Sequence, residues 1–428
     1  MSSSVSSPLP FPLKEADRCV MCGMCLAYCP TYSYSQNEGE SPRGRIALMV
    51  ALAKGELAPT AQLQSHVDRC LGCRACERVC PSGVPYGQLL DAGRAYLAQV
   101  RPAPSLVRWQ RRLLLDGLVV HPKGRFLTGK LLRLLQSSGL IKLAPLVGLG
   151  QLARRLPPLS PPGQLANYYL PQGKQRGRVA LFTGCLAQEW DWQTLAAAIT
   201  VLTRLGYWVD VPVGQGCCGA LHLHSGEPQR AAHLARHNLT AFHAGQWEAV
   251  ITTASGCGAT LREYPQWLQD DERAGLLAAQ IVDISEFLSR QSWPLDLFLR
   301  PFPQRVAVHD PCSLVNVLRQ GGAPYRLLQR IPGIELIPLA ENNRCCGAAG
   351  SHVVTEPAQA DSLRKNKITA LGSSGAQVLV SANIGCALHL AHGAREAGLA
   401  VEVMHPVALL ARQLAEKEEN EQREQHQV

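Results

Sequence analysis

The chain has 428 residues, 46% of them hydrophobic, a formal net charge of +9 and sixteen cysteines. That length allows about three domains and a sizeable buried core, and the lack of an uncharged apolar run of about eighteen residues argues against a membrane-spanning helix. No zinc-finger, RNP or helix-turn-helix pattern accompanies the positive charge, which argues against nucleic acid, and so many cysteines without a secretion signal point to a reducing compartment and metal ligation.

Residues 1–12 are rich in Ser and Pro and read as a disordered lead-in, not a signal peptide. Residues 13–100 read as a helical domain with cysteine loops between its helices, including short helices over 46–57 and 61–69. Cys19, Cys22, Cys25 and Cys29 precede Pro30, and Cys70, Cys73, Cys76 and Cys80 precede Pro81. Each copy is C-x2-C-x2-C-x3-C-P, the bacterial ferredoxin run for two 4Fe–4S clusters. Three thiolates two residues apart can wrap one cubane from a single loop, and the fourth reaches the other cluster. The expected ligands are therefore Cys19, Cys22, Cys25 and Cys80 for one cluster, and Cys70, Cys73, Cys76 and Cys29 for the other. Gly23 and Gly72 keep the backbone close to the clusters. Zinc favours pairs of C-x2-C, not triplets with a prolyl-linked fourth cysteine. Arg43 and Arg45, between the two runs, could offset the negative charge of the clusters or form ordinary salt bridges.

Residues 101–175 are basic. Segments 111–115 and 130–135 read as basic amphipathic helices that either pack on the cluster domain or lie on a membrane surface. The Pro-rich run 156–163 reads as a linker.

Beyond it the sequence repeats. Cys185, Cys217-Cys218 and Cys257 recur as Cys312, Cys345-Cys346 and Cys386, at separations of 127, 128 and 129 residues. Residues 176–300 and 301–415 thus form two modules. Strands are expected over 178–184, 207–212 and 249–253, with a helix over 193–205. The second copy has matching segments at 305–309, 325–331, 335–338 and 377–381. Strand–helix alternation predicts parallel sheets, with each cysteine just past the carboxyl end of a strand, where ligand sites form. The overall class is multidomain, α followed by α/β: a helical two-cluster ferredoxin domain, then two repeated α/β cysteine-rich modules. Residues 416–428 form a charged polar tail.

The cysteine modules resemble the CCG, or cysteine-rich, domains of the heterodisulfide reductase family. Joined to a two-cluster ferredoxin, the chain is similar to the iron–sulfur subunits of glycolate oxidases from about Arg18 to Leu414. The strings Cys29-Pro30-Thr31-Tyr32, Ser41-Pro42-Arg43-Gly44-Arg45, Asp68-Arg69-Cys70-Leu71, Thr253-Ala254-Ser255-Gly256-Cys257-Gly258 and Ala382-Asn383-Ile384-Gly385-Cys386 carry the likeness. The resemblance implies a partner FAD-binding subunit that oxidises a 2-hydroxy acid. This chain would take the electrons and deliver them to a quinone or other membrane acceptor, at the inner face of the cytoplasmic membrane. Related chains serve D-lactate, L-lactate and glycerol 3-phosphate dehydrogenases. No G-x-G-x-x-G follows a strand and no Walker motif is present, so substrate chemistry is expected on the partner.

The chain departs from the full CCG motif in one respect. The first cysteine of its terminal C-x2-C is Ala254 in one copy and Asn383 in the other. Cys185, Cys217, Cys218 and Cys257, and likewise Cys312, Cys345, Cys346 and Cys386, could then hold a further iron–sulfur cluster, zinc, or a paired-thiol redox site. With zinc, the modules could be an assembly scaffold. His309 could tune a cluster or relay a proton; His222, His224 and His352 are weaker candidates.

Overall fold

The computed structural model describes residues 11–106, 109, 113–141, 163–243 and 245–415. The expected lead-in falls mostly outside these residues. Phe11, however, is buried in the N-terminal core with Ile46, Met49, Leu89 and Leu97, so order begins earlier than expected.

The N-terminal domain is helical. Helix Pro30–Ser35 starts at the proline that ends the first cysteine run, and Pro42–Ala53 is capped by Ser41, whose hydroxyl accepts from the Gly44 amide. Both use proline in the first turn, where the missing N–H costs nothing. Ala61–Asp68 is capped by Thr60 in the same way as Pro42–Ala53, and Tyr86–Val100 closes the domain. The first of the expected joining helices thus begins at Pro42 instead of residue 46, because a Ser–Pro cap sets its start.

In the basic region, Leu113–Val120 is a π-helical segment and Pro122–Ser137 an α-helix. The second packs on the first cysteine module through Arg125–Gln188 and Arg133–Glu189, not on the cluster domain. Its face bearing Phe126, Leu127, Leu131 and Leu134 is exposed. Residues 111–112 and 142–162, with most of the expected linker, and the tail 416–428 lie outside the described residues.

Each module is a parallel sheet. The first contains β1 (Tyr168–Tyr169), β2 (Gly177–Phe182), β3 (Tyr207–Asp210), β4 (Ala249–Thr252) and β5 (Ile281–Asp283), in the order β1-β3-β2-β4-β5. The second contains β6 (Arg305–His309), β7 (Glu335–Pro338), β8 (Val378–Ser381) and β9 (Glu402–Met404), in the order β7-β6-β8-β9. Apart from β1, which runs antiparallel along the edge, both follow one winding, with the second strand outside the first. Tyr168–Tyr169, expected within the linker region, instead extends the first sheet. The all-buried β4 and β8 are short apolar runs, as strands covered on both faces require.

The modules share a core. Leu195 and Leu202 of helix Trp192–Arg204 lie in one apolar cluster with Val407 and Leu410 of the C-terminal helix Pro406–Gln413. The Ser255 amide also donates to the Ala382 carbonyl at 3.0 Å. The helices that carry Cys257 and Cys386 thus begin side by side.

Candidate iron–sulfur and metal sites

All sixteen cysteines are free thiols. Tight turns build the ferredoxin loops. Met21 and Arg74 take positive φ values of 57° each, and Gly23 and Gly72 of 83° and 60°. A Cβ on Gly23 would meet Arg43 Nη1 at 2.9 Å, so this glycine makes room for the guanidinium as well as for the turn.

Cys29, Cys70, Cys73 and Cys76 line one cavity, with Arg45 and Tyr86 in its wall. Cys29 belongs to the first run, so the structure brings it to the second triplet. Burial pushes the Cys73 and Cys76 thiols well up. As free thiols they are neutral and inert; a coordinated metal deprotonates them. Cys19, Cys25 and Cys80 pack at the edge of the N-terminal core, while Cys22 is exposed. Burial also raises the Cys25 thiol, which feels Cys19 and Cys29. Val20, Met21 and Met24 are exposed beside this first loop.

Arg45 is completely buried and donates to Thr31 Oγ1 (2.9 Å), the His66 carbonyl (2.5 Å) and the Glu40 carboxylate (2.9 Å). Burial alone would lower its pKa, yet Cys70, Tyr86, Cys29 and Glu40 raise it overall. Arg45 is therefore both half of a buried ion pair and the cation in the wall of the cavity lined by Cys29, Cys70, Cys73 and Cys76. Arg43 forms a surface pair with Glu38 and donates to the Met21 carbonyl at 2.9 Å, inside the first loop. Arg94 holds the second loop by donating to the Cys70 carbonyl at 2.6 Å, and reaches the His224 carbonyl of the first module at 3.0 Å.

In each module the cysteines lie beyond the carboxyl ends of three adjacent parallel strands. The thiols are close enough to act on one another in turn, Cys185 with Cys217, Cys217 with Cys218 and Cys218 with Cys257. The same chain links Cys312, Cys345, Cys346 and Cys386. The geometry repeats in detail: the Gly219 amide donates to Cys217 Sγ, and the Gly347 amide to Cys345 Sγ, each at 3.5 Å. The neighbouring Cys217 thiol, followed by burial, raises Cys185; the Cys345 thiol, followed by burial, raises Cys312. Four converging thiols, three of them buried in each module, without disulfides suit a thiophilic metal or cluster. Ala254 and Asn383 stand where the longer motif has a further cysteine. Asn383 fills that role differently, donating to Cys386 Sγ at 3.3 Å and accepting from the Gly256 amide at 3.2 Å.

A buried cation attends each quartet. Arg125 acts on Cys185, and Lys367, whose pKa burial lowers although Cys346 and Cys345 oppose this, donates to the Glu341 carbonyl at 2.5 Å. Neither stands out in sequence, since each sits within an ordinary helix far from any cysteine. Among the histidines, His222 is clamped between Glu227 (2.7 Å) and Asp116 (3.0 Å), His224 pairs with Asp91 (2.9 Å), and His352 bonds Gln359 (2.8 Å). These three are structural pairs. His309 alone of the four reaches the cysteine sulfurs.

Comparison with known proteins agrees with this architecture. A 4Fe-4S dicluster domain model matches residues 15–84, and a cysteine-rich CCG domain model matches residues 179–262 and 306–391. A probable glycolate oxidase iron-sulfur subunit of Bacillus subtilis (strain 168) is 36% identical over 92% of this chain and 93% of its own length. The glycolate oxidase iron-sulfur subunit of Escherichia coli (strain K12) is 36% identical over 88% of this chain and 90% of its own. Lactate utilization protein A of an Exiguobacterium strain is 28% identical over 54% of this chain and 96% of its own. Two cysteine runs sharing one cavity, a doubled CCG architecture and this near full-length likeness together establish that the chain belongs to the family of glycolate oxidase iron–sulfur subunits, components of oxidoreductase complexes.

Proposed function

We propose that this chain is the electron-transfer subunit of a complex whose separate FAD-binding subunit oxidises glycolate to glyoxylate, and that it delivers the electrons to a quinone-type acceptor. One observation carries the reading: Cys29 of the first run shares a cavity with Cys70, Cys73 and Cys76 of the second, beside the fully buried Arg45. Two 4Fe–4S clusters, held by Cys19, Cys22, Cys25 and Cys80 and by Cys70, Cys73, Cys76 and Cys29, would supply one-electron steps when bound. The protein's part is to hold these centres close together, to neutralise their charge with Arg43 and Arg45, and to leave the first loop open at Cys22. The two CCG quartets are read as further metal or cluster sites.

Glycolate is favoured by the two full-length relatives of that name. Lactate is the second reading, favoured by the lactate utilization relative, which matches about half of the chain. Peripheral attachment to the inner face of the cytoplasmic membrane is supported by the exposed Phe126, Leu127, Leu131 and Leu134 on a basic helix. No helix among the described residues is long and apolar enough to cross a membrane.

The test is anaerobic affinity purification of the chain from its native host, followed by dye reduction with glycolate, D-lactate, L-lactate and glycerol 3-phosphate. Glycolate turnover with a co-purified flavoprotein supports the reading. Turnover with another substrate alone reassigns the complex. About eight irons together with two zincs and no turnover would favour an assembly scaffold.

A further inference from the structure

The two CCG quartets differ at one position that sequence repetition hides. In the first sheet Phe182 stands opposite Thr252; in the second, His309 stands opposite Ser381 in the same register. His309 is 1% exposed. Its Nδ1 lies 3.0 Å from Ser381 Oγ, while its Nε2 is buried without a hydrogen-bond partner among the described residues. A ring nitrogen of His309, Cys346 Sγ and Cys386 Sγ all lie within 4.8 Å of one another. Phe182 packs instead against Phe242, with ring centroids 6.0 Å apart.

A buried imidazole nitrogen left unpaired gives up the hydrogen bond it has in water without regaining one. Native interiors seldom tolerate this without a reason. With Nδ1–H donating to Ser381, Nε2 is left with a free lone pair, the tautomer in which a hydrogen bond at the other nitrogen holds a metal-binding histidine. Lys367 points the same way. A buried lysine beside Cys345 and Cys346, bonded to a backbone carbonyl, is better offset where the thiols carry negative charge, as they do on a metal, in addition to Glu341 and Asp310.

We propose that His309 is a metal ligand, so that the second module holds its metal through imidazole and thiolate, with Cys346 and Cys386 in the donor set, whereas the first module's site is all-thiolate. This rests on the reading that the quartets bind metal. Zinc and the iron of a cluster both accept such a mixed set.

The test uses the full-length chain, purified anaerobically with natural-abundance or 15N-labelled histidine, alongside Cys386→Ser and His309→Phe variants. Iron and zinc per chain are measured, with retained ferredoxin EPR signals as the fold control. If Cys386→Ser keeps wild-type iron and zinc, the second module holds no metal, and the underlying reading fails along with the inference. If it loses metal, the wild-type protein decides the role of His309. An iron site is expected to show a nitrogen coupling in pulsed EPR that changes on 15N labelling and vanishes in His309→Phe. A zinc site is expected to show a nitrogen shell at about 2.0–2.1 Å in X-ray absorption, and His309→Phe to weaken zinc retention 10–100-fold. Metal lost in Cys386→Ser with no histidine nitrogen in the wild-type spectra would overturn the proposal while leaving the metal reading intact.

Discussion

The side-chain amide of Asn316 donates to the backbone carbonyl of Cys73 at 2.7 Å. Asn316 lies just past Cys312, and the Cys312 thiol is close enough to act on that of Cys73. The second ferredoxin loop is thus seated on the second CCG module, and on the first through the Arg74–Glu263 pair. Asn316→Leu leaves the Cys73 carbonyl without this partner, a loss of about 1–3 kcal/mol in unfolding free energy. It is expected to retain the ferredoxin iron and EPR signals but to slow substrate-driven acceptor reduction several-fold. Denaturation and stopped-flow dye reduction check both; a wild-type rate would mean that this contact lies off the electron path.

Arg45 and Glu40 form a buried pair beside the cavity lined by Cys29 and Cys70. Arg45→Gln removes the fully buried partner of the Glu40 carboxylate, which keeps only His66 at 3.0 Å and the more exposed Arg69 at 3.5 Å, and is expected to cost up to about 3–5 kcal/mol. Glu40→Gln combined with Arg45→Gln is expected to recover part of that, as charge pairs do in double-mutant cycles. If the single Arg45→Gln variant keeps its clusters, redox titration should give a lower potential for the second one, because a cation that favours the reduced state is gone while the Glu40 carboxylate remains. An unchanged potential would make Arg45 purely structural.

Much of this was legible in sequence because ligand spacing is local. The ferredoxin runs, the repeat at 127 to 129 residues and the strands that precede each cysteine all lie where short-range pattern puts them. Of the cations, Arg43 and Arg45 were legible from their place between the runs; three others were not. Arg94, Arg125 and Lys367 reach their cysteines across gaps that only tertiary packing closes. The last strand of each module, Ile281–Asp283 and Glu402–Met404, also escaped notice, since three residues carry no periodicity. Asn383 was read as a lost ligand; the structure shows it bonding to the sulfur of Cys386.

Gly347 and Gly219 turn the paired-cysteine loops with φ of 89° each. A Cβ on Gly347 would stand 2.7 Å from the Ala360 carbonyl oxygen, and one on Gly219 3.1 Å from that of Ala231. Alanine at either site costs about 1–2 kcal/mol for the left-handed backbone. Gly347→Ala adds a backbone clash and is expected to be the more destabilising, with greater metal loss from its module. Thermal unfolding and metal counts of the two variants compare them directly.

Burial holds His405 down at about 3, against about 6.5 in an unfolded chain. Between these values only the unfolded chain takes up the proton. Stability from this group is therefore intact above about pH 6.5 and lost as pH falls towards 3, amounting to about 2 kcal/mol between pH 7 and 5. His405 Nδ1 accepts from the Val407 amide at 3.0 Å, a capping role that asparagine can keep. His405→Asn is thus expected to lose about 2 kcal/mol less than wild type over that range; equal losses in denaturant titrations would refute this.

The central claim is that electrons from a partner flavin pass through this chain. Its most direct measurement is freeze-quench EPR of the anaerobic complex after mixing with glycolate, in wild type and in Cys73→Ser. The account predicts reduced-cluster signals in the wild type within the turnover time. In Cys73→Ser it predicts a flavin that is still reduced by substrate while acceptor reduction is lost. Acceptor reduction that proceeds at the wild-type rate in Cys73→Ser, with the clusters of the wild type remaining oxidised, would contradict it.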